Sequence, residues 1–349
     1  MYSKSPFAFF ARAAAMWFAV FGLMAGIYLA VDPLGMFRWR EDMMPGGYCP
    51  NRGVVSVANF EHFNPDRHYD SFIIGSSLSM YYPVEHWLRY LPDGARPFHF
   101  DCSALDVREL GQIIDYLASK AELKNALIVW DWMAFDWQYL DEAPYRTPPA
   151  VERDWSEKIA THYMFFSNWY GRPFMNDWIS NIKLGSKARG EVKTPRAVKM
   201  EYSHDVDNEI NEICRTVADS IRQNSSDSLL RLYPRKAFED VTYVYSALTE
   251  DHIDRRQAEY IMEVGAKLDS LGTDYYFVMV PSNMNKIPSP HDETIMRRAF
   301  GDRYVLTHPY MTYICRNPYN YFAEGYHLRP RILEKVMDFV YTNRASQID

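Results

Sequence analysis

Asp70-Ser-Phe-Ile-Ile-Gly-Ser-Ser-Leu-Ser79 is the segment from which the fold can be read. A short continuous apolar run ending in Gly-Ser-Ser reads as a strand buried on both faces that feeds a tight turn. Pro83 then stands at a helix start, with Val84, Trp87 and Leu88 at helical spacing. The same grammar repeats downstream. Phe98–Cys102 is a second apolar run, and the helix after it opens with Asp106 and Glu109 at capping-box spacing and sets Leu110, Ile113, Ile114 and Leu117 on one face. Ala126–Trp130 is a third strand, ending at Asp131. Much later, Ala258, Ile261, Met262 and Leu268 mark a helix before a fourth strand, Tyr275–Val280, and Tyr304–Leu306 offers a fifth. After Pro330 the positions Ile332, Leu333, Val336, Met337 and Val340 line one side of a last helix. Apolar strands alternating with amphipathic helices predict an α/β fold with a parallel sheet covered on both faces.

The chain has 349 residues, more than one ordinary domain of about 150. The pattern changes between Asp136 and about Leu248, where strand-like runs are scarce. There Trp155, Ile159 and Tyr163 step at four, and Val206, Ile210, Ile213, Val217 and Ile221 keep helical spacing. A mostly helical insertion over about 136–248 accounts for the excess length.

From Ala13 to Val31 there are nineteen residues without a charge, with Lys4 and Arg12 before them and Asp32 after. At about 1.5 Å per residue this run just covers a hydrocarbon core of about 30 Å, so the reading favoured is one uncleaved N-terminal transmembrane helix. A cleaved signal peptide competes, but its apolar stretch is usually shorter and ends in an A-x-A-like site, which is not evident here. The basic residues do not orient the helix, since Arg38 and Arg40 beyond it balance Lys4 and Arg12. The chain is then expected to divide into an anchor over 1–31, a juxtamembrane segment over 32–69 and an α/β domain over 70–349.

The net charge is −7 and the isoelectric point is near 5.8, which argues against wrapping a polyphosphate backbone; nucleic acid is not an expected partner. The mean hydropathy of −0.35 excludes a polytopic membrane protein. Four cysteines (Cys49, Cys102, Cys214 and Cys315) are few for a disulfide scaffold, and no His/Cys cluster has metal-ligand spacing. An oxidising compartment would allow one bridge, and the loop-like Cys49 and Cys315 suit it best. Aromatic residues reach 16%. Trp130, Trp132, Trp137 and Tyr139 cluster past the third strand, and Trp155, Trp169, Tyr170 and Trp178 lie further on in the insertion. An aromatic sugar-binding groove is one reading; core filling is the favoured one, because aromatics bury large areas wherever they occur.

In an open α/β sheet, ligands bind at the carboxyl ends of the strands. Four polar features are expected there: Gly75-Ser76-Ser77, Cys102-Ser103, Asp131, and Glu324-Gly325-Tyr326-His327 before the last helix. With the anchor followed by Asp32-Pro33-Leu34-Gly35, the FIIGSSLS and VWDWMAF strand ends, and the late E-x-x-H-x-R-P, the chain resembles the SGNH/GDSL hydrolase superfamily. The likeness is to its membrane-anchored DltD/AlgJ/AlgX-like branch, over about 32–135 and 255–345. It implies a three-layer, flavodoxin-like fold, with Ser77 as nucleophile, His327 as general base and Glu324 where the family usually has Asp. Ser103 and Asp131 would occupy oxyanion or substrate positions, with Ser76 and Arg329 beside them. Typical family members have an Asn donor where this chain has Asp131, an anion when ionised.

The chemistry has its own logic, since a serine hydroxyl attacks only when a base takes its proton and a third group holds that base's tautomer. The resemblance implies a membrane-anchored extracytoplasmic esterase or acyltransferase acting on O-acyl groups of a cell-envelope or secreted polysaccharide. It also implies a multipass membrane O-acyltransferase as partner and no metal or organic cofactor. Two competing readings are a non-enzymatic accessory subunit that keeps the fold to bind glycan or a membrane partner, and a lipid esterase. Helix capping is the bland alternative for Ser76 and Ser77, turn stabilisation for Asp131, and setting the helix start for Arg329-Pro330. Ser79 is read as structural, and His62, His68, His86 and His99 show no ligand spacing.

Overall fold

A computed structural model describes residues 6–32, 35–39, 48–49, 51–102, 105–136, 147–170, 198–199, 251–280, 288–307 and 327–348. The expected strands form one parallel sheet: β1 (Ser71–Gly75), β2 (Pro97–Asp101), β3 (Asn125–Trp130), β4 (Asp274–Met279) and β5 (Tyr304–Leu306). Their spatial order is β2-β1-β3-β4-β5, and every pairing is parallel. Chain order therefore reverses at β1, which has β2 on one side and β3 on the other. The register sets Gly75 level with both Asp101 and Val129, so the segments leaving these three strands emerge along one edge.

Alternation along the strands builds two cores. Phe72, Ile74, Phe98, Phe100, Ile128 and Phe277 belong to one apolar cluster; Ile73, Leu127, Val129 and Val278 belong to the other. The first is covered by α2 (Arg52–Arg67), α4 (Val107–Lys120), α7 (Arg255–Ser270) and α8 (Pro290–Phe300), the second by α3 (Val84–Trp87) and α9 (Pro330–Ile348). The chain is thus α/β with helices on both faces of a five-stranded parallel sheet. The capping box opening α4 is present: the Asp106 side chain accepts the Glu109 N–H at 2.8 Å, and the Glu109 carboxylate accepts the Asp106 N–H at 3.2 Å.

Two of the longer helices were not anticipated from the patterning. α2 carries Gly53 and Pro65 inside it, but Asn51 starts it by accepting the Val54 N–H at 2.9 Å, and Val54, Val55, Val57 and Phe60 are buried. In α8, Ser289 accepts the Asp292 N–H at 3.0 Å. Of the insertion, the described part consists mainly of α6 (Trp155–Trp169); the helical spacing seen over Val206–Ile221 lies outside the described residues. Two residues from each side, Tyr48–Cys49 and Val198–Lys199, pair antiparallel.

α1 (Pro6–Val31) has 26 residues and is long and apolar enough to cross a membrane; of its residues only Tyr28 is buried. Its exit is pinned locally. The buried Asp32, at φ 45°, accepts the N–H groups of Met36, Phe37 and Arg38 at 2.8, 3.1 and 2.9 Å. The Arg38 guanidinium turns back to donate to the carbonyls of Leu29 and Ala30 at 3.0 and 2.7 Å, satisfying groups that a helix end leaves open.

The turn after β1 is held from beneath. Ser79, fully buried, donates its hydroxyl to the Ser76 carbonyl at 2.8 Å, so the His99 Nε2 at 3.2 Å must be the donor to Ser79 Oγ. Burial first, and the Arg52 cation second, push the His99 pKa down from 6.5 to about 3. Arg52 itself forms a buried ion pair with Asp101. Gly75 is required by space: a Cβ there would lie 2.6 Å from the Val129 carbonyl oxygen and 2.8 Å from Ser79 Cβ.

Both features can be tested on the full chain in detergent. Gly75→Ala is expected to lower unfolding stability by about 1–3 kcal/mol, read by chemical denaturation, because neither neighbour can move away cheaply. His99 binds its proton more weakly folded than unfolded, so acidification favours the unfolded chain. Stability attributable to it is expected to fall by about 1.4 kcal/mol per pH unit as pH drops from about 6.5 towards 3. His99→Gln should flatten that slope in a pH series of melts.

Candidate functional site

The edge defined by the carboxyl ends of β1, β2 and β3, at the reversal of strand order, is where a ligand site is expected in a sheet of this kind. Three serines occupy the turn there, and their surroundings separate them. Ser76 is buried, and its hydroxyl accepts the Leu78 N–H at 3.4 Å while its carbonyl takes the Ser79 N–H at 2.9 Å. Ser79 is locked to Ser76 and His99. Ser77 is half-buried, and among the described residues its hydroxyl enters no hydrogen bond. Ser77 is the serine of the three that faces solvent.

His327 reaches this same turn. Its ring meets that of Tyr81 edge-on, with centroids 5.7 Å apart, and Tyr81 lies four residues beyond Ser77. The start of α9 fixes the position of His327. Leu328, Ile332 and Leu333 are buried against the sheet, and the Arg329 carbonyl accepts the N–H groups of Ile332 and Leu333 at 2.8 and 3.3 Å, opening the helix. Thus the bland role expected of Arg329-Pro330 is present at the backbone, and His327 packs against the last residue of the turn that contains Ser77. Tyr81 was not singled out from sequence; nothing in its local pattern marks it.

Asp131 is buried at the end of β3, and its Oδ1 accepts the Ala134 N–H at 3.1 Å, capping α5 (Met133–Asp136). Its turn-stabilising role is therefore visible. Cys102 is a free, buried thiol whose N–H donates to the Gly75 carbonyl at 3.0 Å; burial pushes its pKa up, which keeps it protonated and unreactive. Ser103 and Glu324 lie outside the described residues, as do Cys214 and Cys315, the latter one half of the expected bridge. Of the aromatics, Trp130, Trp132 and Trp169 are buried in the apolar clusters, which is the core-filling reading, whereas Trp155 is exposed. Trp137, Tyr139 and Trp178 lie outside the described residues.

A buried Ser–His pair does exist in the chain, but it is Ser79–His99. With the imidazole donating and the hydroxyl already committed to a carbonyl, it cannot generate a nucleophile. Its members are twenty residues apart on different elements, so spacing could not have revealed it. A cavity of about 480 Å³ opens elsewhere, among Trp39, Glu61, His62, Lys158 and His162, where the α1 exit meets α2 and α6. Among the described residues no group of three His, Cys, Asp or Glu side chains is placed to hold a metal ion. No family model matches the chain, and no curated protein matches it.

Proposed function

We propose that the protein is a membrane-anchored serine esterase or O-acyltransferase of the SGNH kind, working on acyl groups of a cell-envelope or secreted polysaccharide. The observation that supports this reading is that His327 packs against Tyr81, in the turn after β1 that carries the half-buried Ser77 at the reversal of strand order. The order β2-β1-β3-β4-β5 is that of a flavodoxin-like sheet, which supports the finer fold assignment.

In this reading His327 takes the Ser77 hydroxyl proton as the serine oxygen attacks an acyl carbonyl. Glu324, three residues earlier, holds the imidazole Nδ1 so that Nε2 faces the serine. The tetrahedral oxyanion is met by the backbone N–H groups of Ser77 and Ser103. Collapse expels the first alcohol, which receives the proton from His327 and leaves an acyl-serine. A sugar hydroxyl or water then gives its proton to His327 and attacks the acyl group, regenerating Ser77. The helix α1 keeps the α/β domain at the outer face of the membrane, beside a multipass acyltransferase that supplies or receives the acyl group.

A second reading, an accessory subunit that keeps the fold and binds glycan, is favoured by Asp131. That carboxylate stands where a donor to the oxyanion is usual, and it caps α5 instead. Hydrolysis of p-nitrophenyl acetate by the detergent-solubilised full chain separates the two. Ser77→Ala is expected to reduce turnover to background, and His327→Ala to reduce it about 10²–10⁴-fold. Wild-type turnover no faster than that of Ser77→Ala would remove the enzyme reading and leave the accessory one.

A further inference from the structure

The exposed large apolar side chains of the described residues are concentrated in two places. Most lie on α1; beyond it there are Phe37, Leu271 and three residues of α6, namely Trp155, Ile159 and Tyr163, exposed by 75%, 57% and 62%. At about 100° per residue these three fall in one stripe of α6, and Phe166 belongs to the same stripe. The other side of α6 is committed to the protein. Phe165 and Trp169 are buried, Thr161 donates to Glu152 at 3.2 Å, and Glu157 pairs with Arg108.

The lower end of the stripe already rests on α1. The Phe166 ring lies 5.4 Å from that of Phe21 and 5.5 Å from that of Tyr28, and the Tyr170 hydroxyl donates to the Met24 carbonyl at 2.5 Å. Met24 precedes Val31 by seven residues, about 10 Å along the helix axis, and Phe21 by ten, about 15 Å. If α1 crosses a bilayer, the side chains that touch Phe21 and Met24 share their depth. An apolar stripe continuous with those contacts then has acyl chains, and not water, beside it.

We infer that α6 is an interfacial helix, seated in the leaflet from which α1 emerges, with Trp155, Ile159 and Tyr163 in contact with lipid. Its occupant is the bilayer itself. The stripe combines an aromatic at each end with an aliphatic centre, the composition that suits the headgroup and acyl boundary. This inference rests on the reading of α1 as a transmembrane anchor. It also orients the Ser77 rim. Val54 and Val55 of α2 pack with Tyr28, Phe165 and Trp169, and in the same first turns of α2 Arg52 pairs with Asp101 at the carboxyl end of β2. The carboxyl edge of the sheet is therefore its membrane side.

Nitroxide accessibility tests this in the full chain, reconstituted in phosphatidylcholine–phosphatidylglycerol vesicles, with Cys49, Cys214 and Cys315 replaced by serine. Labels are placed singly at Ile159→Cys, Tyr163→Cys, Phe18→Cys on α1 and Leu271→Cys as the aqueous reference. Ile159 and Tyr163 are expected to resemble Phe18, with relaxation by oxygen exceeding that by a water-soluble nickel chelate. If Phe18 is lipid-exposed while Ile159 and Tyr163 match Leu271, the α6 inference is overturned and the anchor stands. Labels at both α6 sites shielded from both reagents would also overturn it, by showing a protein partner on the stripe. An aqueous Phe18 would remove the anchor reading, and the α6 inference with it.

Discussion

The buried ion pair of Arg52 and Asp101 joins the elements around the long apolar helix α1 to the sheet. Two charges withdrawn from water cost several kcal/mol each, and the pair persists only because each neutralises the other. Ser56, one turn further along α2, reinforces the joint by donating to the Asp101 carbonyl at 2.8 Å and accepting its N–H at 3.3 Å. The effect passes inward. The Arg52 cation helps to hold His99 neutral, the neutral imidazole donates to Ser79, and Ser79 holds the Ser76 carbonyl. A charge at the start of α2 is thereby connected, through one electrostatic interaction and two hydrogen bonds, to the turn that contains Ser77.

That turn also shows how three similar side chains receive different tasks. Residue type alone does not distinguish the three serines of Ser76-Ser77-Leu78-Ser79. The backbone bends so that Ser76 and Ser79 face inward, where an unbonded hydroxyl would be costly, and each finds a local partner. Ser77 is half-buried, where water can satisfy it. Gly75 makes the bend feasible by letting the turn approach the Val129 carbonyl closely. The fold commits two of the three hydroxyls to partners within it and leaves that of Ser77 uncommitted among the described residues.

The range of the interactions involved decided what could be read from the sequence. The four longer strands were legible because a strand buried on both faces is a continuous apolar run, and α4 because its capping box and apolar face are local. α2 was not, since Gly53 and Pro65 disturb its pattern and its stability comes from contacts made far away in sequence: Ser56 with Asp101, Val54 and Val55 with Phe165 and Trp169. The site divides in the same way. Ser77 was visible as the polar end of an apolar strand and His327 as a polar position just before an amphipathic helix. Tyr81, whose ring meets that of His327, and His99, which supports the turn, act only through the fold.

Among the described residues, the aromatic content, which composition alone leaves without meaning, includes two populations with opposite surroundings. Phe72, Phe98, Phe100, Trp130 and Phe277 sit in the layers that cover the sheet, where edge-on and tilted rings fill space that aliphatic side chains would leave. Phe7, Phe9, Phe10, Trp17, Phe18 and Phe21 on α1, and Trp155 and Tyr163 on α6, face outward. Water is a poor neighbour for so many rings on two touching helices, and a bilayer is a good one. Placing both helices at the membrane removes most of the exposed large apolar surface of the described residues at a stroke. It also leaves the opposite, polar end of the sheet, where Asp70, Arg96 and Lys124 interact, directed away from the bilayer.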